Sequence, residues 1–234
     1  MHRKFLFYIL ALLPEVTLCH ALTYFLALSL LPHAYGSIKA AVFFGVDTLL
    51  LLLFAKSLGR WIDHIASIHR RVALDMIMHA ALGVLLIAFF MMYAEVKTSW
   101  MIVLLIFSMI KFVALFENQL RVQFPVCFAK KHNMPLAQVL AVSNLATRGS
   151  HFFAPVLGLW LIKANHVIMI IILIQLLAVL AIYVLQQSLE NKLEFTARTQ
   201  TKLNYSETVT WWTNWHAQYL FWMNLAFGGM ALSL

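Results

Sequence analysis

The stretch FLFYILALLPEVTLCHALTYFLALSLL, residues 5–31, decides how the chain is read. A helix of that length, at about 1.5 Å per residue, exceeds the ~30 Å hydrocarbon core of a bilayer, and its composition is apolar enough to span one. Two residues interrupt it. Pro14 removes a helical hydrogen bond, and Glu15 places a carboxylate near mid-membrane at a cost of a few kcal/mol. A sequence that tolerates both together is expected to aim Glu15 into a polar path between helices.

The remaining chain repeats the pattern. Of its 234 residues, 63% are hydrophobic and 11% charged, and the mean hydropathy is +0.84. These values lie far outside soluble-domain usage and imply an all-α polytopic membrane protein. The runs do not alternate apolar and polar residues, which excludes barrel strands. Further spans are expected over residues 38–55, 72–93, 100–116, 136–162 and 166–185, with Asp47, Asp75 and Lys111 inside three of them. The fifth, over 136–162, is the most polar and holds Asn144, Thr147, Arg148, His151 and Pro155. Residues 190–210 read as a polar linker, and Trp211, Trp212 and Trp215 as interfacial aromatics before a seventh apolar run over 219–234. That run covers roughly 24 Å, short of a bilayer core, and is expected to be a truncated helix. The expected organisation is a six-helix lobe over 1–187, a cytoplasmic linker over 188–215 and the start of a seventh helix over 216–234.

Charge distribution sets the orientation and excludes nucleic acid. Twelve of the seventeen Lys and Arg residues fall on the N-terminus, the loops at 56–71 and 121–135, and the linker; three, Lys39, Lys97 and Lys163, fall on the other loops. The positive-inside rule therefore accounts for the net charge of +8 and puts the N-terminus in the cytoplasm of a multi-pass protein of the plasma membrane, or of the inner membrane in a bacterium. His2-Arg3-Lys4 before an apolar run imitates a signal peptide, but the run is too long and no small-residue cleavage site follows. Cys19 and Cys127 lack CxxC spacing, so neither a disulfide framework nor a zinc site is implied. No acid pair or histidine cluster on one cytoplasmic face points to an enzyme, and no covalently bound cofactor is expected.

Six spans followed by a cytoplasmic linker and a further span match the front half of a major facilitator fold, which is built from two six-helix halves. Gly59-Arg60-Trp61-Ile62-Asp63 occupies the place of that superfamily's G-x-x-x-D loop, where a glycine permits a tight turn and Asp63 can accept hydrogen bonds from a helix N-terminus of the opposite lobe.

Three stretches narrow the resemblance. Gly59-Arg60-Trp61-Ile62-Asp63 is similar to G-D-W-V-D of the ferroportins, the solute-carrier iron exporters. Leu136-Ala137 through Asn144 to Phe152-Phe153-Ala154-Pro155 and Gly158 resembles their helix-five run. Trp212 and Trp215 with Gln218-Tyr219-Leu220-Phe221 and Asn224-Leu225-Ala226-Phe227 resembles their entry to helix seven. The resemblance implies export of a divalent metal by alternating access, Fe²⁺ first and Mn²⁺ or Co²⁺ as alternatives. It also implies a second half, either a missing C-terminal lobe or a second copy. Glu15 falls on the family's helix-one metal aspartate, while Thr147 replaces a helix-five acid and Gln175 a helix-six asparagine. Family gating arginines fall on Asn144 and Leu145, a helix-three glutamine on Met78 and a helix-six glutamate on Ile182.

The helical period supplies local candidates. Glu15 and Cys19 share one face, as do Asn144, Thr147, Arg148 and His151, giving a carboxylate, thiol, hydroxyl and imidazole suited to a borderline metal. Together with Gln175, which only the resemblance implies, the candidate metal residues are Glu15, Cys19, Thr147 and His151. Alternatively Glu15 pairs with Arg148, and Asp47 and Asp63 serve gating or structural ion pairs. Two other readings stay open: a non-transporting, diverged or truncated membrane interaction protein, and a major facilitator carrier for another solute.

Overall fold

The computed structural model describes residues 3–32, 35–65, 67–94 and 99–189. They form six long helices and one short one: α1 (Arg3–Leu30), α2 (Gly36–Asp63), α3 (Ile68–Ala94), α4 (Trp100–Arg121), α5 (Phe124–Lys131), α6 (Leu136–Lys163) and α7 (Val167–Leu189). The expected linker and seventh helix lie outside the described residues, apart from Ser188 and Leu189, which extend α7. Five stretches are long and apolar enough to cross a membrane: α1, α2, α3, α4 continued through α5, and α7. α6 has the length, at 28 residues, but its polar middle keeps it outside that group.

Two boundaries differ from the sequence expectation, for the same reason. The charged stretch after residue 55 continues α2 through Gly59 to Asp63, so Gly59 lies inside a helix rather than in a turn. α4 likewise runs past Phe116 to Arg121. Lys, Arg, Glu and Gln are good helix formers, and helices outlast the apolar window that announces them. The basic loop expected over 121–135 is then mostly α5, which opens with Pro125 in its first turn and buries Phe124, Cys127 and Phe128 while Lys130 and Lys131 end it. The α1–α2 turn depends on glycine: a Cβ on Gly36 would stand 2.0 Å from the Leu30 carbonyl oxygen.

α1 is the central helix. Its most apolar window is 56% buried, against 11% for α2 and 22% for α7. It packs against α2, α6 and α7, while α3 lies between α4 and α7, and α2 rests on α4. The α1–α6 contact is the closest, because Ser150, Ala154 and Gly158 form a stripe of small buried residues at a spacing of four. A Cβ on Gly158 would lie 2.8 Å from both the Ala21 carbonyl oxygen and the Tyr24 Cβ. Small residues let helix backbones approach in a medium where burial of apolar surface does not itself drive association. α1 runs through Pro14 without ending, and the Thr17 hydroxyl donates to the Leu13 carbonyl at 2.7 Å.

The apolar interior is divided. One layer gathers Phe5, Tyr8, Leu12, Val72, Phe124, Phe128 and Ile182 and another holds Leu18, Leu22, Leu82, Phe89, Phe107 and Ile171, with a small third cluster of Ile62, Phe116 and Leu120 beside these two. Along α1, Glu15 falls between Leu12 and Leu18, and along α3, Asp75 and His79 fall between Val72 and Leu82. The break between the two layers holds the polar residues.

Candidate functional site

Three helices bring charge to that break, and a fourth a backbone carbonyl. Arg121, at the last turn of α4, is the hub. Its Nε donates to Asp75 Oδ1 of α3 at 2.9 Å, one terminal nitrogen lies 3.4 Å from Glu15 Oε1 of α1, and the other 3.4 Å from Glu117 Oε1 one turn back on α4. His79 closes the group from α3, with Nδ1 at 3.2 Å from Glu15 Oε2 and 3.8 Å from Glu117 Oε1. Its other nitrogen, Nε2, is 3.1 Å from the Gln175 backbone carbonyl of α7. Glu15, Asp75, His79 and Glu117 are each at most 2% exposed. Three carboxylates therefore surround one guanidinium and one imidazole, so acids outnumber bases even when the imidazole is charged.

A second pair lies toward the other apolar layer. Lys111 of α4, itself buried, holds Asp47 Oδ2 of α2 at 2.7 Å, and the Thr23 hydroxyl of α1 donates to the same oxygen at 3.2 Å. Asp47 is 40% exposed because it faces a cavity.

Two cavities flank the centre. The first, of about 330 Å³, lies among α1, α2, α4 and α6 and reaches Glu15, Cys19, Asp47, Lys111, Glu117 and His151. The second, of about 320 Å³, lies on the side of Tyr8 and Pro125. Both are bounded by Val16, Asn118, Arg121 and Thr147, so these four residues form the wall where the cavities meet.

The sequence candidates divide accordingly. Glu15, Cys19, Thr147 and His151 all line the first cavity. His151 meets His20 there, ring centroids 3.8 Å apart, which gives the helix-one histidine a partner on α6. Gln175 is on α7, where its carboxamide crosses Gly83 and its carbonyl receives His79; it does not line that cavity. Arg148 is exposed and forms no ion pair among the described residues. The ion pair expected for Glu15 exists, but its arginine is Arg121. Asp63 accepts from Gln123 Nε2 at 2.8 Å, a tie between the end of α2 and the α4–α5 corner.

Asp75, His79, Glu117 and Arg121 were not among the candidates. Their signal was present: Asp75 and His79, like Glu117 and Arg121, are spaced i, i+4, which stacks them on one helix face.

The described chain is all-helical, with several helices of membrane-spanning length and apolarity enclosing buried charge. No family model, curated protein or solved structure matches it.

Proposed function

We propose that the protein is a membrane carrier for a divalent metal cation, Fe²⁺ first and Mn²⁺ or Co²⁺ next, organised like the N-terminal lobe of a major facilitator transporter of ferroportin type. The observation that carries this reading is the pair of cavities separated by Val16, Asn118, Arg121 and Thr147. An alternating-access carrier needs space on both sides of a thin barrier, and here one side is charged and the other mostly apolar. Acids are costly inside a membrane and mark ion pathways there. Glu15 reaches the first cavity, and its cation Arg121 borders both. Opening the barrier requires Arg121 to exchange partners, which couples access to the charge state of the acids.

The experiment is flux into liposomes loaded with a metal-quenched dye, with the purified chain reconstituted and Fe²⁺, Mn²⁺ or Co²⁺ added outside. Entry faster than in empty liposomes, lost in Glu15→Gln, is the expected result. Wild-type rates equal to those of empty liposomes for all three ions overturn the proposal.

One observation favours a second reading, that of a non-transporting membrane interaction protein. Arg121 touches all three acids, as a purely structural clamp between α1, α3 and α4 would. Under it, Glu15→Gln alters stability and no flux exists to lose.

A further inference from the structure

We infer that Glu15, His79 and Glu117 form a binding site for one borderline divalent transition metal, with ligands drawn from α1, α3 and α4. The inference deepens the carrier reading by giving its cation a resting place, but binding stands or falls without flux.

Two features of the geometry point to a metal rather than to acids sharing a pocket. A nitrogen of His79 and one carboxylate oxygen each from Glu15 and Glu117 lie within 4.8 Å of one another. Glu15 Oε2, His79 Nδ1 and Glu117 Oε1 are fully buried and complete no hydrogen bond: the first two only face each other at 3.2 Å, and the third has an Arg121 nitrogen at 3.4 Å. Buried polar atoms are nearly always satisfied, so three convergent orphans call for a shared partner.

The contacts that would orient these ligands are already in place. A backbone carbonyl accepts only a donor, so the Gln175 carbonyl fixes the hydrogen of His79 on Nε2 and turns Nδ1 toward the carboxylates. A metal-bound histidine is characteristically held this way, with its remote N–H on a carbonyl or carboxylate that sets tautomer and ring orientation. Arg121 does the same for Glu15, which it takes by Oε1 and leaves with Oε2 facing His79; on Glu117 its other terminal nitrogen stands 3.4 Å from Oε1 itself, the oxygen that would turn to the metal.

Ligand type narrows the ion. Metal–oxygen and metal–nitrogen bonds of about 2.0–2.2 Å place neighbouring ligand atoms roughly 3.0–3.5 Å apart. The 3.2 and 3.8 Å separations around Nδ1 reach that range after side-chain shifts of a few tenths of an ångström. Two carboxylates with one imidazole suit Fe²⁺, Mn²⁺ or Co²⁺, whereas Ca²⁺ calls for six to eight oxygens. Glu15 and Glu117 both border the first cavity, which supplies a route in and space for water on the open positions. Cys19 also borders it but lies outside the ligand group.

The test is Co²⁺ titration of the purified full-length chain in detergent micelles, followed by the visible absorption of bound Co²⁺, with Mn²⁺ and Ca²⁺ as competitors. One Co²⁺ per chain is expected, displaced by Mn²⁺ and not by equal Ca²⁺. Losing a ligand costs at least as much as losing an outer partner, so Glu117→Gln and His79→Gln should each weaken binding about 10–100-fold. Thr48→Ala and His151→Ala, in the same cavity but outside the triad, should leave it unchanged. Both triad variants are checked for helix content and monodispersity, and the one that passes carries the test. Should neither pass, the absorption spectrum of wild-type protein decides: bands of a nitrogen- and oxygen-ligated Co²⁺ support the site, and the intense thiolate charge transfer of a Cys19 complex refutes it. Absence of Co²⁺ binding, affinity unaltered in the triad variants, or loss of binding in His151→Ala instead also overturns it. Binding without flux would remove the carrier reading and keep the site; flux indifferent to Glu117 and His79 would do the reverse.

Discussion

Replacing Arg121 by methionine separates the observed structure from the reading in which residue 121 begins a loop. Methionine keeps most of the length and removes the charge. In the structure the guanidinium reaches three acids at 2.9, 3.4 and 3.4 Å, its side chain is 10% exposed, and the acids are almost wholly buried. Removing one partner of a buried ion pair typically costs about 3–5 kcal/mol, because the other charge is left without compensation. Asp75 suffers most, since Arg121 supplies its hydrogen bond to Oδ1 while Oδ2 already has none. Glu15 retains His79 as a neighbour. The upper part of the range, about 5 kcal/mol, is therefore expected, or more than three decades in the folded-to-unfolded ratio. A loop arginine in water would contribute only about 0–1 kcal/mol.

The assay is reversible unfolding in mixed micelles, titrated with SDS and followed by far-ultraviolet circular dichroism. Its control neutralises the acids as well. Arg121→Met combined with Glu15→Gln, Asp75→Asn and Glu117→Gln leaves no buried charge among the four and should recover most of the lost stability. A loss below about 1 kcal/mol for Arg121→Met, or a quadruple variant no more stable than the single one, refutes the hub.

Three other outcomes follow from the packing and the charges. Gly158→Val should destabilise by about 1–3 kcal/mol in the same unfolding assay, because even a Cβ there meets the α1 backbone at 2.8 Å; unchanged stability would mean that α1 and α6 are not in close contact. Asp47→Asn leaves the buried Lys111 ammonium without its carboxylate and should cost about 1–3 kcal/mol, the lower values reflecting the exposure of Asp47; adding Lys111→Met should restore the difference, and failure to restore it would deny the pair. In a background of Cys19→Ser and Cys127→Ser, single cysteines at positions 64 and 133 should react with an impermeant maleimide from the cytoplasmic side, and those at 35 and 165 from the opposite side. Labelling of 64 and 35 from one side would refute the alternation.

The helices were legible because their signal is redundant. Five of the elements carry an apolar run long enough to cross a membrane, so their order follows from composition, and α6 is the exception whose polar middle interrupts the run. Helix ends were less legible, since apolarity reports the membrane and not the helix. α2 and α4 continue through charged residues, eight residues past Ala55 in one case and five past Phe116 in the other, and in α4 those charges are buried or nearly so. Misplacing that second end is what hid the site. With Arg121 assigned to a loop, the only intramembrane arginine left for Glu15 was Arg148, on the polar face of α6.

The choice between those arginines depends on rotation about the helix axis. α6 turns its small stripe, Ser150, Ala154 and Gly158, onto α1, because only that face permits the close backbone contact. Position 148 is then carried away from α1 by the 100° per residue of the helix, and its side chain points outward, while Thr147 and His151 stay on the cavity wall. α3 and α4 have no such stripe to orient them, and each instead turns its i, i+4 polar pair inward, where the two pairs answer each other: Asp75 and His79 against Arg121 and Glu117. Placing Glu15 in the polar break of α1 completes the set. A single acid beside Pro14 could be read from one helix, but the two elements that give it partners, α3 and α4, reach it only because α7 and α2 pack them beside α1.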